Sequence, residues 1–496
     1  MVVEESGLAL EAERAPGLRA RAIREGSAFI GCKWVAQGLS WMVTLGVARL
    51  LVPADYGVMA AAGMVLGLSD LLAEGGVGRA LVQRPRAVVS EYAEAFTLSL
   101  VLSLGCYACI LAGAGPAARF LRTPELTRVL PVMGSLVLLV PFRTVPLGIL
   151  DRRLDMKAQG IVNVYTTILQ ASIVLGLAFL GARYWSLVAG AIAGRLFESV
   201  SLCALARWRP RVVVPGRGAG EMLRFGLWMS LGGLLWYVYS NSDYAVVGRI
   251  AGPAALGYYS LAFQLMSLPA QKVTANINQM IFPVFCRLRD EPARIKDWYL
   301  RLSVLTIFLV LPVLLGAALV ARDGIETLFG AKWLPAVLPF QLLSGVGVLG
   351  VVAASHLSLL NSLGRPDLNF RYTAACAAVF PIGFSIAGEH YGVIGVCLAW
   401  LSIYAWAVAL LVALTKGITN IKLGEMVLAQ WPVARAAALM AVVVLAAQAL
   451  LGAAPPAARL VAAVAAGAAA YAGCLMLTAR HTVLADLRIV WRELKG

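Results

Sequence analysis

Charge is scarce in this chain of 496 residues: Asp, Glu, Lys and Arg make up 14% of it, against 60% hydrophobic residues. Histidine is nearly absent, with three isolated copies at His356, His390 and His481 that are expected to be structural. The eight cysteines are scattered. Cys106 and Cys109 lie inside an apolar run, where packing rather than redox chemistry is the expected role. The sequence has no GxxxxGK[ST] phosphate loop, no HExxH and no cluster of His and Cys ligands. Nothing therefore calls for a nucleotide, a metal or a catalytic nucleophile, and the expectation is a protein that is not an enzyme and has no resident cofactor.

Long apolar runs are what the chain has in abundance. Its mean hydropathy is +0.81, more apolar surface than a soluble domain can bury and a composition suited to a bilayer. A membrane helix needs roughly 20 largely apolar residues to cross a hydrocarbon core about 30 Å thick. Segments of this kind fall at 27–51, 56–80, 93–115, 127–150, 158–181, 184–206 and 222–246, then at 254–281, 299–321, 335–361, 371–388, 392–415, 434–451 and 457–479. The expected fold is an all-α integral membrane protein of about fourteen spans. Residues 1–26 read as a polar, basic tail, and the span that follows is too long for a cleaved signal core, so it is expected to stay in the protein.

Basic residues outnumber acidic ones, 42 to 26, for a net charge of +16. With the N-terminus placed in the cytoplasm, 29 of the 42 fall in cytoplasmic segments and 9 in outside loops, which predicts an N-in, C-in protein. The positive charge then reflects topology and contact with anionic membrane lipids; no nucleic-acid partner is needed to explain it.

One pattern is stated twice. ARLLVPADYGVMAAA at 48–62 aligns without a gap on GRIAGPAALGYYSLA at 248–262, sharing Arg49/Arg249, Pro53/Pro253, Ala54/Ala254, Gly57/Gly257 and Ala62/Ala262. In each copy the Arg closes one helix, Pro-Ala opens the next, and Gly permits close packing. An even number of spans separates the copies, so the halves insert in the same orientation, as parallel repeats do. The predicted organisation is an N-lobe of six helices at 27–210, a C-lobe of six at 221–415, related by a pseudo-twofold axis along the membrane normal, a final pair at 434–479, and a cytoplasmic tail at 480–496.

Charge hidden inside the spans marks candidate function. Lys33, Arg143, Arg195 and Lys272 lie there, with the acids Asp70, Glu74, Glu198 and Asp243. Each charge at the bilayer centre costs on the order of 2.5–3.5 kcal/mol on insertion scales, so all of them demand water or a partner. Span 1 presents Lys33, Gln37, Ser40 and Thr44 on one face. Span 7 presents Trp236, Ser240 and Asp243, with Tyr239 beside them, and span 8 presents Gln264, Ser267, Gln271, Thr274 and Asn278, widened by Lys272 and Asn276. These residues are candidates for a polar cavity that receives an anionic group, whereas the Ala- and Val-rich last pair is expected to face lipid. Structural readings stand beside this one: Arg195 with Glu198 at i, i+3, Lys33 with Asp70 or Glu74, and Arg143 snorkelling toward water. Asp243 is suited to carrying Na⁺ or a proton, or to bonding a nearby turn. Pro131, Pro141, Pro146, Pro269 and Pro312 supply bends within spans.

The run LLVPADYGVMAAAGMVLGLSDLLAEGGVGRALVQRP at 50–85, the repeat R-x-x-x-P-A-x-x-G and PVFCRLRDEPARI at 283–295 resemble the polysaccharide transporter family, the Wzx-type lipid-linked oligosaccharide flippases, and within it exporters of the colanic-acid type. That family shares the MOP superfamily with MATE drug exporters and the lipid II flippase. The resemblance implies a MATE-like fold and movement of undecaprenyl-pyrophosphate-linked oligosaccharide across the bacterial inner membrane by alternating access. It implies cationic cavity residues, to which Lys33 and Lys272 correspond by helix position, and a polysaccharide polymerase or export complex as a possible partner. The alternatives are a MATE-type drug exporter, a lipid II flippase, and a membrane polysaccharide polymerase, the last disfavoured because the outside loops are short.

Overall fold

The structure, a computed structural model, describes residues 18–76, 78, 89–153, 155–214, 216–287 and 291–478. Among these residues there is helix and no strand. A helix satisfies its backbone N–H and C=O groups internally, which a chain surrounded by hydrocarbon requires. The protein is an all-α, multi-pass membrane protein with ten helices long and apolar enough to cross a membrane among the described residues, one of them 54 residues long.

The long helices follow the hydropathy. They are α1 (Leu18–Leu50), α2 (Pro53–Glu74), α3 (Val89–Phe120), α4 (Leu126–Arg152, tightened to a 3-10 turn at Ser135–Leu139), α5 (Met156–Phe179) and α6 (Tyr184–Leu205). The helical run Arg217–Arg287 breaks at Gly252, giving α7 (217–251) and α8 (253–287). Then come α9 (Pro292–Leu319) and α10 (Val337–Ser362). The run Pro366–Thr419 breaks at Gly392 into α11 (366–391) and α12 (393–419), before α13 (Trp431–Leu450) and α14 (Pro456–Thr478). Gly252 has φ 75° and Gly392 φ 61°, a left-handed backbone that glycine adopts without strain.

Two compact units divide the chain: residues 1–52 with 62–234, and residues 53–61 with 235–496. In the first, α1 packs along α5 and α5 along α6. A core of Phe96, Val145, Ile149, Leu150, Val162 and Leu202 draws together α3, α4, α5 and α6. In the second, Phe285, Trp298, Tyr299, Leu302 and Leu359 form one core. Val304 and Ile307 of α9 form another with Met440 and Val444 of α13 and Tyr471 of α14. Val461, Val464, Met476 and Leu477 of α14 stay exposed, the face expected to meet lipid.

The repeat has a structural reason inside the second unit, to which residues 53–61 belong. A Cβ on Gly57 would lie 1.7 Å from the Pro253 carbonyl oxygen, and one on Gly257 would lie 1.9 Å from the Pro53 carbonyl oxygen. Each copy's glycine thus receives the other copy's first-turn backbone. The contact is reciprocal, in the way an isologous interface is, and only glycine permits it at this distance. The stretch 322–334, short in the sequence reading, is itself ordered: it folds as a helix (Ala321–Phe329) and a 3-10 turn (Ala331–Ala336). From that turn Trp333, fully buried, meets the rings of Tyr56 and Tyr258 edge-on at 5.1 and 6.0 Å.

Candidate functional site

Four of the charges hidden in the spans meet in the first unit. The Arg195 Nη2 on α6 donates to Asp70 Oδ2 on α2. One turn further along α6, Glu198 Oε1 accepts from Arg143 Nε on α4 at 3.0 Å. The sequence reading paired Arg195 with Glu198 along one helix; the structure sends each across to a different helix, because the α6 face carrying both residues looks toward α2 and α4. Arg143 is likewise ion-paired rather than snorkelling alone. The side chains keep 40% and 24% exposure in the Arg143–Glu198 pair and 20% and 35% in the Arg195–Asp70 pair. These pairs sit inside an apolar bundle, held yet partly accessible.

Lys33 does not pair with Asp70, whose carboxylate is occupied by Arg195. It is exposed on α1, its Nζ 4.3 Å above the Phe29 ring, a cation–π contact, with no carboxylate in ion-pair range among the described residues. Gln37 and Glu74 are half-buried. Thr44 turns back to donate to the Ser40 carbonyl at 2.8 Å, so its hydroxyl serves its own helix.

The second unit holds the rest. Trp236, Gln264 and Gln271 are exposed and Lys272 is half-buried. The side chains of Asn276 and Asn278 lie outside the described residues. Tyr239, expected beside the polar face, is 6% exposed and packs against Phe380 with ring centroids 5.5 Å apart, so it belongs to the core of the unit.

Asp243 has the most unusual surroundings. It is fully buried on α7. Its Oδ2 accepts from the Tyr259 hydroxyl on α8 at 2.5 Å and from the Trp400 Nε1 on α12 at 2.9 Å. Its Oδ1 has no hydrogen-bond partner. Asn241 and Ser242, its neighbours in sequence, bond instead to the Tyr237 and Tyr239 carbonyls. Phe263 lies 6.2 Å from Tyr259 and 6.1 Å from Trp400 between ring centroids, and Phe380 and Phe384 stack near Trp400 at 5.0 and 4.9 Å. Sequence reasoning missed Tyr259 and Trp400. Tyr259 lies inside the second repeat, where it could have been noticed; nothing local to Trp400 signals a partner 157 residues earlier.

Elsewhere His356 is structural, as expected: its Nδ1 lies 2.8 Å from the Tyr299 hydroxyl and its Nε2 2.6 Å from Thr415 Oγ1. Among the described residues no group of three His, Cys, Asp or Glu side chains is placed to hold a metal.

Comparison with known proteins gives the fold and family context. The sequence pattern of a family described as "Polysaccharide biosynthesis protein" matches residues 47–338. Similar curated proteins include a lipopolysaccharide biosynthesis protein, WzxC, of Escherichia coli (strain K12), 24% identical over 75% of this chain and 77% of that protein. Another is a succinoglycan biosynthesis transport protein, ExoT, of Rhizobium meliloti (strain 1021), 26% identical over 75% of this chain and 76% of that protein. Among solved structures, the lipid II flippase MurJ in an inward closed conformation superposes with a TM-score of 0.70 at 11% identity, covering 94% of this chain and 99% of that one. An inward-facing multidrug resistance MATE transporter of the MOP superfamily gives 0.57 at 16% identity, covering 77% and 98%. Both share the fold.

Proposed function

Because this chain belongs to the polysaccharide biosynthesis protein family, we propose that it is a flippase moving undecaprenyl-pyrophosphate-linked oligosaccharide units across the bacterial inner membrane. The observation that carries this reading is the set of charges on α1, α2, α4 and α6: exposed Lys33 and the wet pairs Asp70–Arg195 and Glu198–Arg143. Charges inside apolar helices are costly unless they face a water-filled path, and so mark the route of a polar cargo. A diphosphate is met best by Lys and Arg in surroundings of low dielectric. A guanidinium that turns from its carboxylate to the phosphate frees that carboxylate, which then has to be taken up by water or a proton. Gln264, Gln271 and Trp236 offer amide and aromatic surfaces to sugars. The polyprenyl tail stays in lipid, and no bond is made or broken.

The orientation that goes with this reading is N-in, C-in, from the excess of Lys and Arg in alternate connections. A polysaccharide polymerase or export complex is the partner such a cargo calls for. Asp243 is its coupling group. The donors around it are a hydroxyl and an indole N–H, both giving hydrogen to Oδ2. A hard cation needs a shell of oxygen ligands, and an indole N–H cannot join one. The set therefore fits a carboxyl that takes up and releases a proton better than a Na⁺ site.

Deleting the gene and identifying the lipid-linked oligosaccharide that accumulates tests the function. An undecaprenyl-pyrophosphate-linked polymer unit is expected; accumulated lipid II reassigns the substrate, and export of a cationic dye by the purified protein overturns the anionic cargo. Lys33→Ala and Lys272→Ala together should lower export by about tenfold or more, the loss of charge-assisted contacts to phosphate, with insertion and abundance intact. Normal export from this variant removes the lysines from the site.

A further inference from the structure

The connection after α6 carries a second anion-binding surface, outside the charges already described. α6 ends at Leu205, and Arg207 turns the chain with φ 49°. The Trp208 N–H donates to the Cys203 carbonyl at 3.2 Å, closing the helix end, and the Arg153 Nη1 donates to the Ala206 carbonyl at 3.2 Å. Residues 209–214 then run without helix along α3, where the Val213 N–H donates to Thr97 Oγ1 at 3.0 Å. The segment is held in place by both ends.

Arg207, Trp208 and Arg209, with Cys203 and Ala204, line a cavity of about 370 Å³ open at the surface. Trp208 is anchored from below by Phe96, ring centroids 5.2 Å apart. Nearby, Asp151 Oδ1 accepts from Gln159 at 2.9 Å, and Glu94 lies beside Gly216. No carboxylate among the described residues pairs with Arg207, Arg209 or Arg211. Beside these cations two valines stand in the open, Val212 at 70% and Val214 at 91% exposure. Water gives no reason for that; the boundary between headgroups and acyl chains does.

We propose that this connector holds the phosphodiester headgroup of an anionic phospholipid of the surrounding bilayer, Arg207 and Arg209 gripping the phosphate while Val212 and Val214 rest in the acyl region. Guanidinium forks match phosphate oxygens, and basic pockets at the cytoplasmic ends of spanning helices are suited to such lipids. A free anion would satisfy the arginines and leave the valines in water. The orientation proposed above names the leaflet as the inner one; the site itself does not depend on what the protein transports.

The test uses the full chain, purified and placed in phosphatidylcholine nanodiscs with rising phosphatidylglycerol, with retained lipid read by native mass spectrometry. Wild type should retain phosphatidylglycerol over phosphatidylcholine, and Arg207→Gln with Arg209→Gln should lower that retention by about thirtyfold, from roughly a kcal/mol per basic residue at an anionic surface. Arg371→Gln with Lys416→Gln removes the same charge from exposed positions elsewhere and should retain lipid as wild type does. Equal loss in both double variants, or unchanged retention in the first, overturns the site. Displacement of the lipid by millimolar inorganic phosphate makes it a soluble-anion site and overturns the lipid assignment. If the first variant does not fold, Arg209→Gln alone carries the test, with about a fivefold loss expected and unchanged retention overturning the proposal.

Discussion

The polar centre of the first unit and that of the second solve the same problem in opposite ways. On α2, α4 and α6, two acids and two bases are paired and left reachable by water. On α7, α8 and α12, one acid stands without a base, sealed by aromatic rings and bonded only by neutral donors. A paired cluster of charges can trade partners where the carboxylate it releases finds water. A lone carboxylate in a dry site has no partner to trade, so its accessible change is to gain a proton. The difference suggests a division of labour in one fold: charge exchange with cargo in the first unit, proton exchange in the second.

Asp243→Asn strikes that comparison hardest. Asparagine keeps an oxygen for the Tyr259 and Trp400 donors, so the chain should fold and insert. On the proposed reading, what is lost is an exchangeable proton, and with it a coupling between a proton gradient and export. Couplings of this kind are typically worth about 5- to 150-fold, and export by the variant should fall by a factor in that range and lose its dependence on pH. Transport assays in vesicles with an imposed pH difference check this; an unchanged pH response would return Asp243 to a structural role.

The next effect concerns the paired centre. Arg195→Ala leaves Asp70 as an unmatched charge within a span. Breaking a fully buried pair costs about 3–5 kcal/mol; these side chains keep contact with water, so about 1–3 kcal/mol is expected here. Thermal unfolding in detergent measures it. The double change Asp70→Asn with Arg195→Gln should recover most of the loss, because it removes the charge instead of stranding it. A double variant as unstable as the single one would show that the pair shapes the bundle by packing, and the contrast between wet and dry centres would lose its meaning.

Much of the fold was legible in the sequence because hydropathy reports directly on burial in lipid. The break between 222–246 and 254–281 falls at Gly252, and that between 371–388 and 392–415 at Gly392. The repeat was visible as a pattern, but its cause, a glycine of each copy seated against the other's proline carbonyl, is a contact over two hundred residues that no local rule encodes. The same limit governs the site. That Arg195 and Glu198 are charged and lie inside a span can be read from the chain; that they face Asp70 and Arg143 cannot, since helix spacing favours the local pair. Tyr239 and Asp243 share a stretch of α7, yet one is core and the other a buried acid, a distinction set by Phe380, Tyr259 and Trp400 on other helices. The 322–334 stretch could be read from the sequence only as a short outside loop; the burial of Trp333, against rings on other helices, gives it its shape.

The smallest effect should come from a pair that belongs to neither centre. Glu425, in the short helix Leu423–Ala429 between α12 and α13, accepts from Lys296 Nζ at 2.8 Å. That hydrogen bond and the Lys422 backbone N–H hold its carboxyl below the ordinary glutamate range. A carboxylate with a lowered folded-state pKa adds stability above its unfolded value, and that contribution fades as pH falls through the folded one. Wild type and Lys296→Gln should therefore differ slightly in thermal unfolding near neutral pH and converge in acid below the usual glutamate range. Both carboxylate and ammonium remain in contact with water, so the gap should be smaller than the one Arg195→Ala opens. A gap as large as that would mean that exposed pairs at the membrane edge weigh as much as those within the spans, and position in the bilayer would no longer explain why the two centres differ.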